Sequence, residues 1–194
     1  LKPTINREPA YEFGHINYDR EGRFGEFDDF DVRQQAYWSV FAGAAGHTYG
    51  ASAIWSFYNP RYSQNSKKIF TWMDQLDAPG ATQLVHLKNL MTHPDIQSRL
   101  PAQDMLLANA HDETGHLQAI RSDHRAYVYA PTGKDFGIKL GVLHGFKINS
   151  YWYNPRDGKQ SLIGQTHNEG HLSLDPPGEP ERGNDWVLIL ESIH

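Results

Sequence analysis

The sequence predicts an α/β first half followed by an all-β second half. Two observations carry this. Up to about residue 93, short apolar runs alternate with stretches whose apolar residues recur at helical spacing. Beyond Leu100-Pro101 the helical spacing stops, and short runs punctuated by turn residues take over. The domain boundary is therefore expected between residues 98 and 99.

In the first half, Thr4 and Ile5 lie in a short strand that leads into Arg7-Glu8-Pro9-Ala-Tyr11-Glu12. Residues 13–26 read as a loop rich in glycine and charge. A helix is expected from about residue 28 to residue 43. Phe30, Tyr37, Trp38, Phe41 and Ala45 follow its spacing, and Asp28, Asp29 and Asp31 favour its N-terminal end. Gly43 and Gly46 end it. Residues 47–55 form a second short strand, followed by the Asn59-Pro60 turn. A further helix is expected over residues 67–76. Asp77-Ala-Pro79 opens the last one, with proline in the first turn where no N–H is needed. Leu84, Leu87, Leu90 and Met91 make its buried stripe, and His93-Pro94 stops it.

The order is strand, helix, strand, helix, which is two βα units. Alone they leave a parallel sheet edge open and cover only one face of it. Residues 1–98 are therefore expected to be the C-terminal portion of a TIM (β/α)8 barrel. Its earlier strands would come from another polypeptide or from a segment missing from this chain.

The second half carries short strands at Met105-Leu-Leu-Ala, Ala126-Tyr-Val-Tyr129 and Phe136-Gly-Ile-Lys-Leu140. A longer alternating run covers residues 146–153, and Asp185-Trp-Val-Leu-Ile-Leu190 closes the chain as a buried strand. Pro131-Thr-Gly133 and Asn154-Pro-Arg-Asp157-Gly158 are hairpin-type turns. Residues 99–194 are thus expected to form a small antiparallel β-sandwich. Tyr58-Asn-Pro-Arg61 and Tyr153-Asn-Pro-Arg156 repeat a tetrapeptide in unlike surroundings, a coincidence of turn chemistry.

Composition narrows the function classes. With a net charge of −5 and no basic cluster, nucleic acid is not an expected partner. No apolar run approaches the roughly 20 residues of a membrane span. There is no cysteine, no Gly-x-Ser-x-Gly elbow and no phosphate-cradling loop. The 11 histidines include no His-Glu-x-x-His. Those in His111-Asp-Glu-Thr-Gly-His116 and His167-Asn-Glu-Gly-His171 sit in turn settings, so neither a metal nor another cofactor is expected. Aromatic residues make up 12% of the chain, as suits either an aromatic core or stacking platforms for sugar rings.

Carboxylates are the remaining chemistry. A barrel strand that delivers Glu at its C-terminal end presents it at the face where barrel active sites lie. Glu8 meets that description, with an ion pair to Arg7 or Arg33 as the structural alternative. Glu12, four residues on, is its rival or an orienting group for substrate hydroxyls. Tyr11 can hydrogen-bond the nucleophile or simply pack. His47, Tyr49 and Trp55 belong to the last barrel strand and the loop after it. His47 suits a substrate hydroxyl or support of Glu8, Trp55 suits the floor of a sugar subsite, and each equally suits packing. Arg33 suits an ion pair on or between helices.

These residues resemble a known family. Glu8-Pro-Ala-Tyr-Glu12, the run Trp38-Ser-Val-Phe-Ala-Gly-Ala-Ala-Gly46-His47-Thr-Tyr49-Gly50, Pro79-Gly80-Ala and Leu87-Lys88 look like the closing part of a glycoside hydrolase family 140 (apiosidase-like) barrel. Tyr129-Ala-Pro-Thr-Gly133, Trp152-Tyr-Asn-Pro-Arg156 and Asp185-Trp-Val-Leu188 look like its appended β-domain, which carries the label of a collagen-binding domain of a collagenase. The resemblance covers nearly the whole chain. It implies cleavage of plant or algal polysaccharide, in particular pectic side chains, outside the cell or in the periplasm. It implies Glu8 as nucleophile and an acid/base Asp from an earlier strand with no counterpart here, so activity is expected to need the rest of the barrel. The competing class is a carbohydrate- or collagen-binding module, with Tyr151, Trp152 and Tyr153 as its stacking surface.

Overall fold

A computed structural model describes residues 2–19, 21–62, 70–107 and 113–193. The first half holds β1 (Ile5–Asn6), α1 (Asp29–Phe41), β2 (Gly46–His47), α2 (Ser52–Trp55) and α3 (Pro79–Met91). The second half holds β3 (Leu100–Pro101), β4 (Gln118–Arg121), β5 (Arg125–Ala130), β6 (Phe136–Lys139), β7 (Lys147–Tyr153), β8 (Gln160–His167), β9 (His171–Leu174) and β10 (Trp186–Ile193). The fold is mixed, with more sheet than helix.

Local chemistry sets the helix ends. Asp28 caps α1 through a reciprocal box. Its side chain accepts from Asp31 N–H at 3.1 Å while the Asp31 carboxylate accepts from Asp28 N–H at 3.0 Å. Pro79 starts α3 at a position where its missing N–H costs nothing. Residues 70–76 are turns, so the helix expected over 67–76 does not form there, and residues 67–69 fall outside the described residues. Of the second strand, expected over 47–55, only its start is strand. Residues 52–55 turn instead into α2, a run too short to show helical periodicity in sequence.

β1 and β2 pair in parallel, Ile5 with Gly46 and Asn6 with His47. Six strands form one antiparallel sheet in the order β3-β4-β5-β10-β7-β8, and β6 and β9 form a second, two-stranded one. The long sheet is covered on both faces. On one, Tyr127, Tyr129, Val187 and Ile189 pack with Ala36, Tyr37 and Phe41 of α1 and Leu87 and Leu90 of α3. On the other, Ala126, Val128, Trp152, Leu188 and Leu190 pack with Phe136, Ile138 and Leu174. Alternation along each strand sends neighbours to opposite cores.

The expected strand at Met105-Leu-Leu-Ala reduces to a 3-10 turn and a single bridge from Leu106 to Ile138, and Ala108 lies outside the described residues. β8 and β9 were not expected: β8 is an edge strand with mostly exposed side chains, and β9 alternates over only four residues. The repeated tetrapeptides do share turn chemistry. Asn59 and Asn154 each accept the backbone N–H two residues on, at 2.9 Å and 3.0 Å.

Candidate active site

β1 and β2 meet twice, and the chain bulges between the two meetings. After Asn6–His47, the next parallel bridge joins Glu12 to Ala51. Five residues, 7–11, thus span the same gap as three, 48–50. The longer side is pushed out of the sheet, the behaviour of a bulge beside a functional site. It is pinned at its ends: Thr48 N–H donates to Asn6 O at 3.0 Å, Glu12 N–H to Gly50 O at 2.9 Å, and Ser52 N–H to Glu12 O at 2.9 Å. Ala10 N–H donates to Gln35 of α1 at 2.8 Å.

Glu8 rides on this bulge. It is exposed, and no hydrogen bond or ion pair to it forms among the described residues. The ion pair with Arg33 that sequence left open is absent, because Arg33 is committed elsewhere. Glu12 has the opposite fate. It has no exposed surface. Tyr49 donates its hydroxyl to Glu12 Oε2 at 2.6 Å, and Gly80 N–H at the start of α3 reaches both carboxylate oxygens at 3.2 Å. Burial pushes the Glu12 carboxyl above its usual value, against the downward pull of those two donors. Burial, then Glu12 itself, pushes the Tyr49 hydroxyl well up, so it stays a donor. The two glutamates of one motif thus divide. One is presented to solvent, and the other ties the bulge to a helix N-terminus.

Aromatic rings border the bulge. Tyr11 is half-buried and meets the edge of Trp55 with centroids 6.2 Å apart at 66°. Trp55 is 71% exposed. A Cβ on Gly50 would sit 2.7 Å from the Tyr11 ring, so glycine is what lets that ring lie against β2. An exposed carboxylate with ring faces nearby can act on or hold a polyhydroxylated ligand.

Residues 1–98 match the family model described as "Apiosidase-like, catalytic domain". The chain belongs to the apiosidase-like family. Residues 100–191 match a second model, "Putative collagen-binding domain of a collagenase". Over 99% of its length the apiosidase-like chain is similar to a solved glycoside hydrolase, at 35% identity and a TM-score of 0.92. It is equally similar to a glycoside hydrolase family 5 structure from Bacteroides vulgatus, at 34% identity and a TM-score of 0.91. The chain spans 43% and 42% of those two proteins. No curated protein matches it in sequence.

Other expected residues lie apart from the bulge. His47 lines a cavity of about 350 Å³ between α1, β2 and α3, with Val40, Leu84, Lys88 and Arg99 among its walls. Both ring nitrogens are buried without a partner, so no hydrogen bond links His47 to Glu8. Burial holds its pKa below 6.5. Trp152 and Tyr153 are each only 6% exposed, and Tyr151 packs against the helix-side core. They form no open stacking surface: Trp152 faces the β6–β9 layer, and Tyr153 donates its hydroxyl to His86 O at 3.1 Å. Among the described residues no three His, Cys, Asp or Glu side chains gather as metal ligands. Sequence reasoning passed over Gly80 as a site-shaping residue. The only signal was Pro-Gly at the start of a helix, where glycine is otherwise unfavourable.

Proposed function

We propose that this chain is the closing portion of a (β/α)8 glycosidase of glycoside hydrolase family 140 and supplies one of its two catalytic carboxylates, Glu8. The observation that carries the reading is the contrast between the glutamates: Glu12 is buried and fully engaged, whereas Glu8 stands exposed, with no partner among the described residues, on a bulge at the C-terminal end of β1. The family match supports the reaction class.

Glycoside hydrolysis uses one carboxyl group to protonate the leaving oxygen and a second to attack the anomeric carbon or activate water. Glu8 takes the second role, in its ionised form, against the positive charge that develops on the sugar ring. The acid/base comes from an earlier strand of the barrel, outside this chain. A separation of about 5 Å between the two would make the enzyme retaining, and one of ~6.5–9.5 Å inverting. Tyr11 and Trp55 contact the sugar. Glu12 and Tyr49 hold the bulge in place rather than touch substrate. The substrate class is plant or algal polysaccharide, with pectic side chains favoured by the resemblance, and the place of action is extracellular or periplasmic. No cofactor enters the reaction.

The binding-module alternative loses its stacking surface, since Trp152 and Tyr153 are core residues. In the assembled enzyme, Glu8→Gln should abolish cleavage of pectic side chains while leaving thermal unfolding unchanged. Retained cleavage by that variant would refute the assignment of Glu8.

A further inference from the structure

Four non-glycine residues among those described hold a left-handed backbone: Phe13, Asn17, Tyr18 and Phe57, with φ of 60°, 57°, 55° and 49°. Asparagine tolerates that region, whereas bulky side chains are outliers there. Three of the four are therefore aromatic rings carried on backbone that glycine adopts without penalty.

Phe57 has the most revealing setting. It follows α2 as the residue that closes a Schellman cap: its N–H donates to Ile54 O at 3.1 Å, and Tyr58 N–H donates to Ala53 O at 2.9 Å. That motif calls for glycine. The position instead carries a phenyl ring that is 72% exposed. The ring stacks on Trp72, with centroids 5.0 Å apart and planes 27° from parallel. Trp72 is held in turn, since its N–H donates to Tyr58 O at 2.9 Å. Its contact with Trp72 leaves most of the ring exposed in this chain, on backbone that favours glycine, and such strain concentrates where ligands are held. The pair is close to the candidate site in the chain: Phe57 lies two residues beyond Trp55, whose ring meets Tyr11 on the bulge.

We propose that Phe57 and Trp72 form a sugar-stacking subsite, occupied by a glycan chain that also crosses the Glu8 bulge. Aromatic faces suit the apolar C–H face of a sugar ring, and the pair would bind residues of the polymer away from the bond being cleaved. The inference rests on the glycosidase reading and extends it to how the polymer is held.

The test measures retardation of the assembled enzyme in gels containing soluble pectin, alongside its Tm, for wild type, Phe57→Gly and Trp72→Ala. Wild type is expected to be retarded. Phe57→Gly should bind about ten-fold more weakly, the scale of one lost stacking contact. Its Tm should be unchanged or higher, because glycine relieves the left-handed backbone. Trp72→Ala should lose binding to a similar degree. Wild-type retardation by Phe57→Gly, or a lowered Tm for it, would assign the ring to packing or to a covering polypeptide and overturn the subsite, leaving the Glu8 reading untouched. A wild-type enzyme that pectin does not retard would overturn the subsite, whereas the Glu8 reading stands or falls with the cleavage assay.

Discussion

Arg33 and Asp185 stand 152 positions apart in the chain and meet in two parallel hydrogen bonds, Nε to Oδ2 and Nη2 to Oδ1, each 2.8 Å. Neither side chain has more than 1% exposure. The third arm of the guanidinium reaches Asp29 at 3.0 Å and Gln83 of α3, while Tyr129 donates its hydroxyl to Asp185 at 3.0 Å. The pair therefore fastens α1, α3, β5 and the start of β10 at one point. Through α3 it reaches Gly80 and Glu12, so the β-half supports the bulge that carries Glu8. Nearby, Arg182 bridges Asp28 at 2.7 Å and Asp31 at 2.9 Å and covers the Phe30 ring, a more exposed second tie.

Asp185→Ala would strand a buried guanidinium. It should destabilise the chain by about 3–5 kcal/mol, and the double variant Arg33→Met/Asp185→Leu should recover most of that loss. Urea unfolding of the three proteins measures both. An Asp185→Ala loss within the error of wild type would contradict the burial of the pair.

Gly80→Ala reverses an ordinary rule. Alanine inside a helix normally gains about 1 kcal/mol over glycine. Here a Cβ would sit 2.5 Å from Glu12 Oε2 and 2.6 Å from Val32 Cγ2, neither free to retreat. A loss of about 1–3 kcal/mol is expected. A gain in the same unfolding assay would show that α3 does not press on Glu12.

Glu12 makes stability depend on pH. Its folded pKa lies above the ordinary 4.5 because burial disfavours the carboxylate. The folded state then holds the proton more tightly than the unfolded one. Its contribution is complete below 4.5 and is lost as pH rises through the folded value. Glu12→Gln keeps an acceptor for Tyr49 and Gly80 without the charge. The stability of wild type relative to this variant should fall as pH rises, read as Tm at a series of pH values. Parallel curves would exclude the effect.

His47 works in the opposite direction. Burial lowers its pKa below 6.5, so its contribution is present above 6.5 and lost as pH falls through the folded value. His47→Leu should lessen the loss of stability on acidification and remove two unsatisfied ring nitrogens from the cavity wall. The same Tm series measures it. Equal acid sensitivity in both proteins would show that this ring does not titrate on unfolding.

Sequence and structure agree where information is local. α1 and α3 were legible from their apolar spacing and their ends. β5 and β10 were legible because strands covered on both faces need nearly continuous apolar runs. The edge strand β8 was not legible, since its side chains face water and carry no alternation. α2 was read as strand because four residues hold too little periodicity to decide. In the candidate site the motif singled out a segment but not the contrast within it. Glu8 and Glu12 are alike by spacing. The parallel bridge of Glu12 to Ala51 and the approach of α3 decide which one is buried.

By itself, the sequence determined the long helices and their caps, the apolar strands and the segment that bears the carboxylates. These follow from backbone propensity and short-range periodicity. Only the tertiary structure decided that Arg33 pairs with Asp185, that Trp152 and Tyr153 are core rather than surface, and that Phe57 is presented while the ring nitrogens of His47 are buried. Each of those depends on which distant element arrives to remove water from a side chain. No pattern within one turn or one strand records that arrival.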